Sequence, residues 1–181
     1  KCRTDTGPVR QRPLRKSTDM EQITEAEMLR RAAAYCSTAE RCIQDVQKKI
    51  KAAGLTQEEG ERIIARLLQE KFIDEHRFAR YFVNDKFRFN KWGRIKIAYE
   101  LQKRNIPAAI RTEALEGIDE TEYAHILQSL LKAKKKSTKG KDDRDIYIKL
   151  LRFAAGRGFE NREVSRCLKQ LFNGNDYEED F

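Results

Sequence analysis

The sequence predicts an all-α protein, built as an elongated array of three tandem three-helix repeats of helix-turn-helix-like form. Three observations carry that prediction. Apolar residues recur in periodic clusters at helical spacing. Strong helix formers dominate, with only four Val in the chain and a single proline, Pro107, beyond residue 13. The order of the helical segments repeats along the chain.

Taken in order, residues 1–22 hold Gly7, Pro8 and Pro13 among scattered basic residues without periodicity, and read as a flexible basic tail. Helix starts follow at three matches to a capping box: Thr24 to Glu27, Ser37 to Glu40 and Thr56 to Glu59. In that box a hydroxyl accepts an amide at the third helical position while the Glu reaches back to the cap. Stop signals stand at Gly54, Gly93, Gly117 and Gly158, and Pro107 suits a first helical turn. Ile63, Ile64, Leu67, Leu68 and Phe72 mark one apolar face, and Phe78, Tyr81, Phe82 and Phe89 mark the next. Later faces are Ile95–Ala98–Leu101, Ile110–Ala114–Leu115, Ile126–Leu127–Leu130–Leu131, Ile146–Leu150–Phe153–Ala154 and Val164–Leu168–Leu171. Such short helices cannot hide an apolar face alone. Residues 173–181 carry four acidic groups and no basic one, and read as a solvated acidic tail.

The repeat is clearest between residues 71–86 and 116–131, where Ile73-Asp74 lies over Ile118-Asp119 and Phe78 over Tyr123 at an offset of 45. Each Ile-Asp closes one helix while its Asp caps the next. Residues 97–106 resemble 150–159, and 42–55 have the same shape. The resulting division is a first repeat over 23–73, a second over 74–118 and a third over 119–172. A Lys-rich polar insertion at 132–144 separates the first two helices of the third repeat.

Of the 181 residues, 37% are charged and 39% hydrophobic, with 38 Lys and Arg against 29 Asp and Glu. That balance excludes a thick many-layered core, and the periodic apolar clusters exclude a disordered chain. No uncharged run approaches the ~20 residues that span a bilayer, so no membrane partner is expected. The net charge of +9 predicts an anionic partner. Residues 1–20 carry +4 and residues 173–181 carry −4, so that net charge belongs to the helical array. Cys2, Cys36, Cys42 and Cys167 lack disulfide-framework or CxxC spacing and read as thiols of a cytoplasmic protein, packed as small hydrophobes. His76 and His125 are isolated, so neither a metal site nor a cofactor is expected. No nucleophile–base pair or Gly-rich phosphate loop appears, and Asp74 and Asp119 read as helix caps, so the chain is not expected to be an enzyme.

Two segments carry a family resemblance. Residues 32–55, AAAYCSTAERCIQDVQKKIKAAGL, resemble the opening helix pair of the bacterial RecX regulators. Residues 67–106, with Asp74-Glu75, Arg77-Phe78-Ala79, a basic helix, Gly93 and a helix ending before Ile106, resemble that family's central signature. The resemblance covers about residues 30–172. The opening Arg-x-Arg-Ser pattern of the family is reduced here to Ser37, Arg41 and Cys42. The resemblance implies an adaptor that binds in the groove of the RecA–single-stranded DNA filament and modulates filament extension, ATP hydrolysis and strand exchange in recombination and DNA repair. It makes the partners the RecA filament and single-stranded DNA without sequence preference, and a monomer is expected.

The expected contact residues lie in the second repeat. Arg77, Arg80, Lys86, Arg88, Lys91, Arg94, Lys96, Lys103 and Arg104 form the densest basic stretch that also holds aromatics. Arg77, Arg80 and Arg88 are placed opposite the Phe78–Phe82 core face. Trp92 reads either as a ring free to stack on a base or as a core anchor. Lys134, Lys135 and Lys136, with Lys132, Lys139 and Lys141, read as a mobile basic loop that either touches phosphates without sequence preference or is simply a soluble connector. The competing reading is a sequence-specific DNA-binding regulator of helix-turn-helix type, and a third is a helical scaffold without nucleic acid.

Overall fold

The structure is a computed structural model that describes residues 23–173. The basic segment 1–22 and the acidic segment from 174 onward lie outside the described residues. Within them the chain forms nine helices and no strand: α1 (Glu25–Thr38), α2 (Ile43–Ala52), α3 (Gln57–Gln69), α4 (Glu75–Arg88), α5 (Arg94–Gln102), α6 (Ala108–Glu116), α7 (Glu120–Ser137), α8 (Asp143–Gly156) and α9 (Asn161–Asn173).

The helices start where short polar side chains can replace missing intrahelical partners. Thr56 and Glu59 close a full capping box at α3. Asp74 accepts the Arg77 N–H at 3.0 Å and Asp119 accepts the Glu122 N–H at 2.7 Å, so both aspartates are caps. Thr24 caps α1, but Glu27 turns away to Arg30 and Arg31 instead of closing the box. The expected box at Ser37–Glu40 does not form. Ser37 and Thr38 lie in the last turn of α1, where their hydroxyls donate to the carbonyls of Ala33 and Tyr35. The start of α2 moves to Cys42, whose N–H and thiol both approach the Asp45 carboxylate.

Three further expectations are corrected. Gly93 does not stop α4; it is the N-cap of α5, while Pro107 caps α6. The Lys-rich segment is mostly helix, because α7 runs on through Ser137 and puts Lys134, Lys135 and Lys136 in its last turn. Lysine is a good helix former, and its charge is favoured beside the carbonyl end of the helix dipole. Finally, Tyr81, Phe89 and Ile95 stay exposed, and Phe87 and Ile97 take the core positions instead.

The helices pack as three trios, α1–α3, α4–α6 and α7–α9, with all substantial helix–helix packing inside a trio. The cores divide differently. Met28, Ala32, Cys36, Val46, Ile50, Ile63, Ile64, Leu67 and Ile73 form the core of the first trio alone. The second and third trios share one continuous core, in which Phe87 stacks on Tyr123 at 5.5 Å between ring centroids and Tyr123 meets Phe159 at 5.3 Å. Burying a side chain such as Phe87 or Leu127 contributes about 1.5–3 kcal/mol, so this shared seam is a principal source of the array's cohesion.

Backbone contacts reinforce the seam. The Gly93 N–H donates to the Arg157 carbonyl at 2.9 Å, and the Ile95 N–H donates to the Gly158 carbonyl at 3.0 Å. The free amides at the start of α5 thereby satisfy free carbonyls at the end of α8. The approach is so close that a Cβ on Gly93 would sit 2.2 Å from the Gly158 oxygen. Gly158 also has φ of +85°, the left-handed region where glycine carries no steric penalty.

Candidate binding surface

The basic residues of the second trio are built on α4, the α4–α5 turn and α5. Asp74 fixes the start of α4, and the Arg77 N–H that it accepts holds its carboxyl below the usual carboxylate range. From that start the arginines point away from the Phe78–Phe82 face, but they do not point into empty solvent. Arg77 pairs with Glu40 at 2.5 Å and Arg80 lies 3.7 Å from Glu113. His76 Nδ1 contacts the other oxygen of Glu113 at 2.8 Å. Arg88 pairs with Glu122 at 3.0 Å, Lys86 with Asp85 at 2.7 Å, and Lys103 and Arg104 both with Glu100.

Arg94 is the most enclosed of the ion-paired cations in the group. Its guanidinium lies 4.0 Å from the Tyr123 ring centroid and pairs with Glu120 at 2.8 Å and Glu160 at 3.5 Å. Its backbone N–H donates to the Tyr123 hydroxyl at 3.2 Å, and that hydroxyl in turn donates to Glu160. Burial first, and the Glu160 carboxylate second, push the Tyr123 phenol well above its ordinary range. Arg94 is thus a structural element of the seam between the second and third trios.

Exposed ion pairs of this kind contribute only about 0–1 kcal/mol each to stability. Their larger effect here is to cancel the field that a bare row of arginines would project. Among the described residues, Lys91 and Lys96 are the cations of the second-trio group with no carboxylate in pairing distance. They flank Trp92, which is half-buried and packed on the large core. The Lys96 ammonium lies 4.6 Å from the centroid of the indole and the Lys86 ammonium 5.9 Å. Trp92 thus packs on the core and carries cations beside its ring. Lys91, with φ of 55°, also lines a groove of about 350 Å³ with His125, Ile126, Ser129 and Leu130 of α7.

Sequence reasoning missed what surrounds these lysines. Tyr81, Phe89, Ile95 and Tyr99 are the large apolar side chains left exposed among the described residues, and all four lie on α4, its C-cap and α5. Phe89 is 80% exposed. Ile95 and Tyr99, four apart, share one side of α5, and Lys103 lies over the Tyr99 ring at 4.4 Å. A signal was present: Phe87 and Phe89, like Ile95 and Ile97, are two apart and cannot share one helical face. All four exposed side chains thus belong to one trio, and exposed apolar surface that is contiguous marks an interaction site.

The third trio contributes less. Lys135 donates to the Leu171 carbonyl at 3.3 Å and lies over Phe172, while Lys134 lies over Phe153 at 5.2 Å; Lys136 is exposed. The described residues contain no group of three or more His, Cys, Asp or Glu side chains disposed to hold a metal ion. Cys36, Cys42 and Cys167 are buried free thiols. No described helix is long and apolar enough to cross a membrane.

Comparison with known proteins bears on this surface. Residues 74–115, which include Lys91, Lys96 and all four exposed apolar side chains, match the family described as RecX, second three-helix domain. The regulatory protein RecX of Prosthecochloris aestuarii is 31% identical over 144 residues, covering 79% of this chain and 92% of the relative. The Clostridium tetani protein of the same name is 32% identical over 130 residues, 71% of this chain and 59% of its own length. The crystal structure of RecX from Lactobacillus salivarius superposes with a TM-score of 0.73 at 18% identity, over 82% of this chain and 97% of that one, and so shares the fold.

Proposed function

Since the chain belongs to the RecX family of regulatory proteins, we propose that it binds the RecA–single-stranded DNA filament and modulates filament extension, ATP hydrolysis and strand exchange. The observation that carries the reading is the combination on the second trio of exposed Phe89, Ile95 and Tyr99 with the unpaired Lys91 and Lys96. An acidic, partly apolar protein surface or a nucleic-acid strand suits such a patch: the lysines attract, and the apolar side chains lose water on contact. Three trios in tandem suit a filament groove because a row of rigid units spans more of it than one small globule. The names of its relatives support a regulator rather than a catalyst.

Cosedimentation with RecA filaments assembled on poly-dT tests this reading. The parent chain should pellet with the filament, and a variant carrying Phe89→Ser, Lys91→Glu and Lys96→Glu should stay in the supernatant while retaining its helical circular dichroism. Equal pelleting of a folded variant would remove the patch from the interface. A footprint on one duplex sequence that survives competitor DNA would favour the sequence-specific regulator instead.

A further inference from the structure

The two junctions between trios occupy equivalent places but are built differently. Cys42 and Gly93 cap the middle helices of the first two trios, and Gly54 and Asn105 follow those helices; both pairs are 51 residues apart. At the second junction, Gly93 allows the two direct backbone hydrogen bonds to Arg157 and Gly158. At the first junction the equivalent residue is Cys42, which has a Cβ. A Cβ at the Gly93 position would lie 2.2–2.4 Å from backbone atoms of the opposite turn, so a cysteine cannot make the same close approach. The Gln44 side chain spans the wider gap instead, donating to the Lys103 carbonyl at 3.0 Å, and the Arg77–Glu40 pair lies beside it.

The first junction also leaves polar groups unsatisfied. Glu40 Oε2 and Arg41 Nε are the buried side-chain polar atoms without a hydrogen-bond partner among the described residues, and both belong to the turn that enters this junction. An unsatisfied buried polar group costs about 1–3 kcal/mol, and separation of the trios lets water relieve it. Cores follow nearly the same division: α1–α3 enclose one and α4–α9 the other, with Cys42 the buried residue of the first trio that crosses into the second core.

We propose that residues 70–74 and the Glu40–Gln44 turn form a hinge, about which α1–α3 moves as one body against a rigid body made of α4–α9. The moving part carries one side chain that reports the motion. Cys42 is fully buried in the core of the other body, so opening of the hinge exposes its thiol while both cores stay folded. Cys167 lies on α9, which packs on α7 and α8 within the third trio, so opening of the hinge leaves its surroundings unchanged.

The test uses two versions of the full chain: one retains only Cys42, the other only Cys167, with the remaining cysteines changed to Ser or Ala. Each is labelled with a small thiol reagent under native conditions, and the rate is divided by the rate for the same cysteine in urea-unfolded protein. The hinge predicts that Cys42 labels at least about tenfold faster than Cys167 on this scale. Equal protection factors, both set by global unfolding, would overturn it. Should a cysteine replacement perturb folding, spin-label distances decide independently. Gln47→Cys with Gln102→Cys spans the first junction and should give a broad distribution. Gln102→Cys with Lys169→Cys spans the second and should give a narrow one; equal widths reject the hinge.

Discussion

Replacing Gly93 with alanine tests how the second and third trios are held together. The added Cβ would stand 2.2 Å from the Gly158 oxygen and 2.4 Å from the Phe159 nitrogen, whereas ordinary carbon contacts begin near 3.4 Å. Both contacts are backbone atoms, so no side-chain rotation relieves them, and the α4–α5 turn must withdraw by about 1 Å. Withdrawal breaks the bonds from Gly93 to Arg157 and from Ile95 to Gly158, at about 0.5–1.5 kcal/mol each. Forcing a methyl into a packed contact adds about 1–3 kcal/mol. The reduced freedom of the unfolded chain returns about 0.4–1 kcal/mol. The expected net destabilisation is about 3 kcal/mol, read from urea denaturation followed by helical circular dichroism. Gly156, in the last turn of α8, has open space where a methyl would stand, with nothing within 4 Å. Gly156→Ala is therefore the control and should leave stability unchanged or slightly raised. A Gly93→Ala protein within about 0.5 kcal/mol of the parent would refute the argument that a backbone clasp joins these trios.

Three other outcomes are expected. Tyr123→Phe should destabilise the protein by about 1–3 kcal/mol in the same assay, because it leaves the partly buried Glu160 and the Arg94 amide short of a partner. Asp74→Ala should cost about 1 kcal/mol at pH 7 and less at pH 3. The sign follows from the lowered carboxyl: the ionised cap stabilises fully above the unfolded value near 3.9, and that stabilisation fades as pH falls through the lower folded value. A loss that grew on acidification would contradict the cap. Lys91→Glu with Lys96→Glu should weaken filament binding about tenfold, equivalent to about 1.4 kcal/mol, whereas Arg66→Glu on α3 should change it by less than twofold.

The architecture was legible because several independent signals agreed at each helix. The Ile-Asp repeat at 73–74 and 118–119 joined an apolar end to a cap, and both aspartates do cap the next helix. The errors share a physical cause: local patterns do not reveal which of two competing partners wins. Ser37 and Thr38 had donors and acceptors in both directions, and the carbonyls of α1 won. Gly93 looked like a stop, but its lack of a Cβ serves a contact with Gly158, which is 65 residues away in the chain. The candidate surface was legible only in part. Charge could be counted, but the carboxylates that occupy Arg77, Arg88 and Arg94 come from Glu40, Glu122, Glu120 and Glu160, which folding alone brings near. The exposed Tyr81 and Phe89 were hidden because both fell on a face read as core, beside Phe78 and Phe82.

The most direct measurement of the central claim is the single-stranded-DNA-dependent ATPase of RecA, titrated with this protein and repeated at raised salt. The proposed filament contact predicts a change in ATPase that saturates near stoichiometric protein, shifts to higher protein concentration as salt rises, and requires Phe89, Lys91 and Lys96. An ATPase unaffected by excess folded protein at low salt would contradict it.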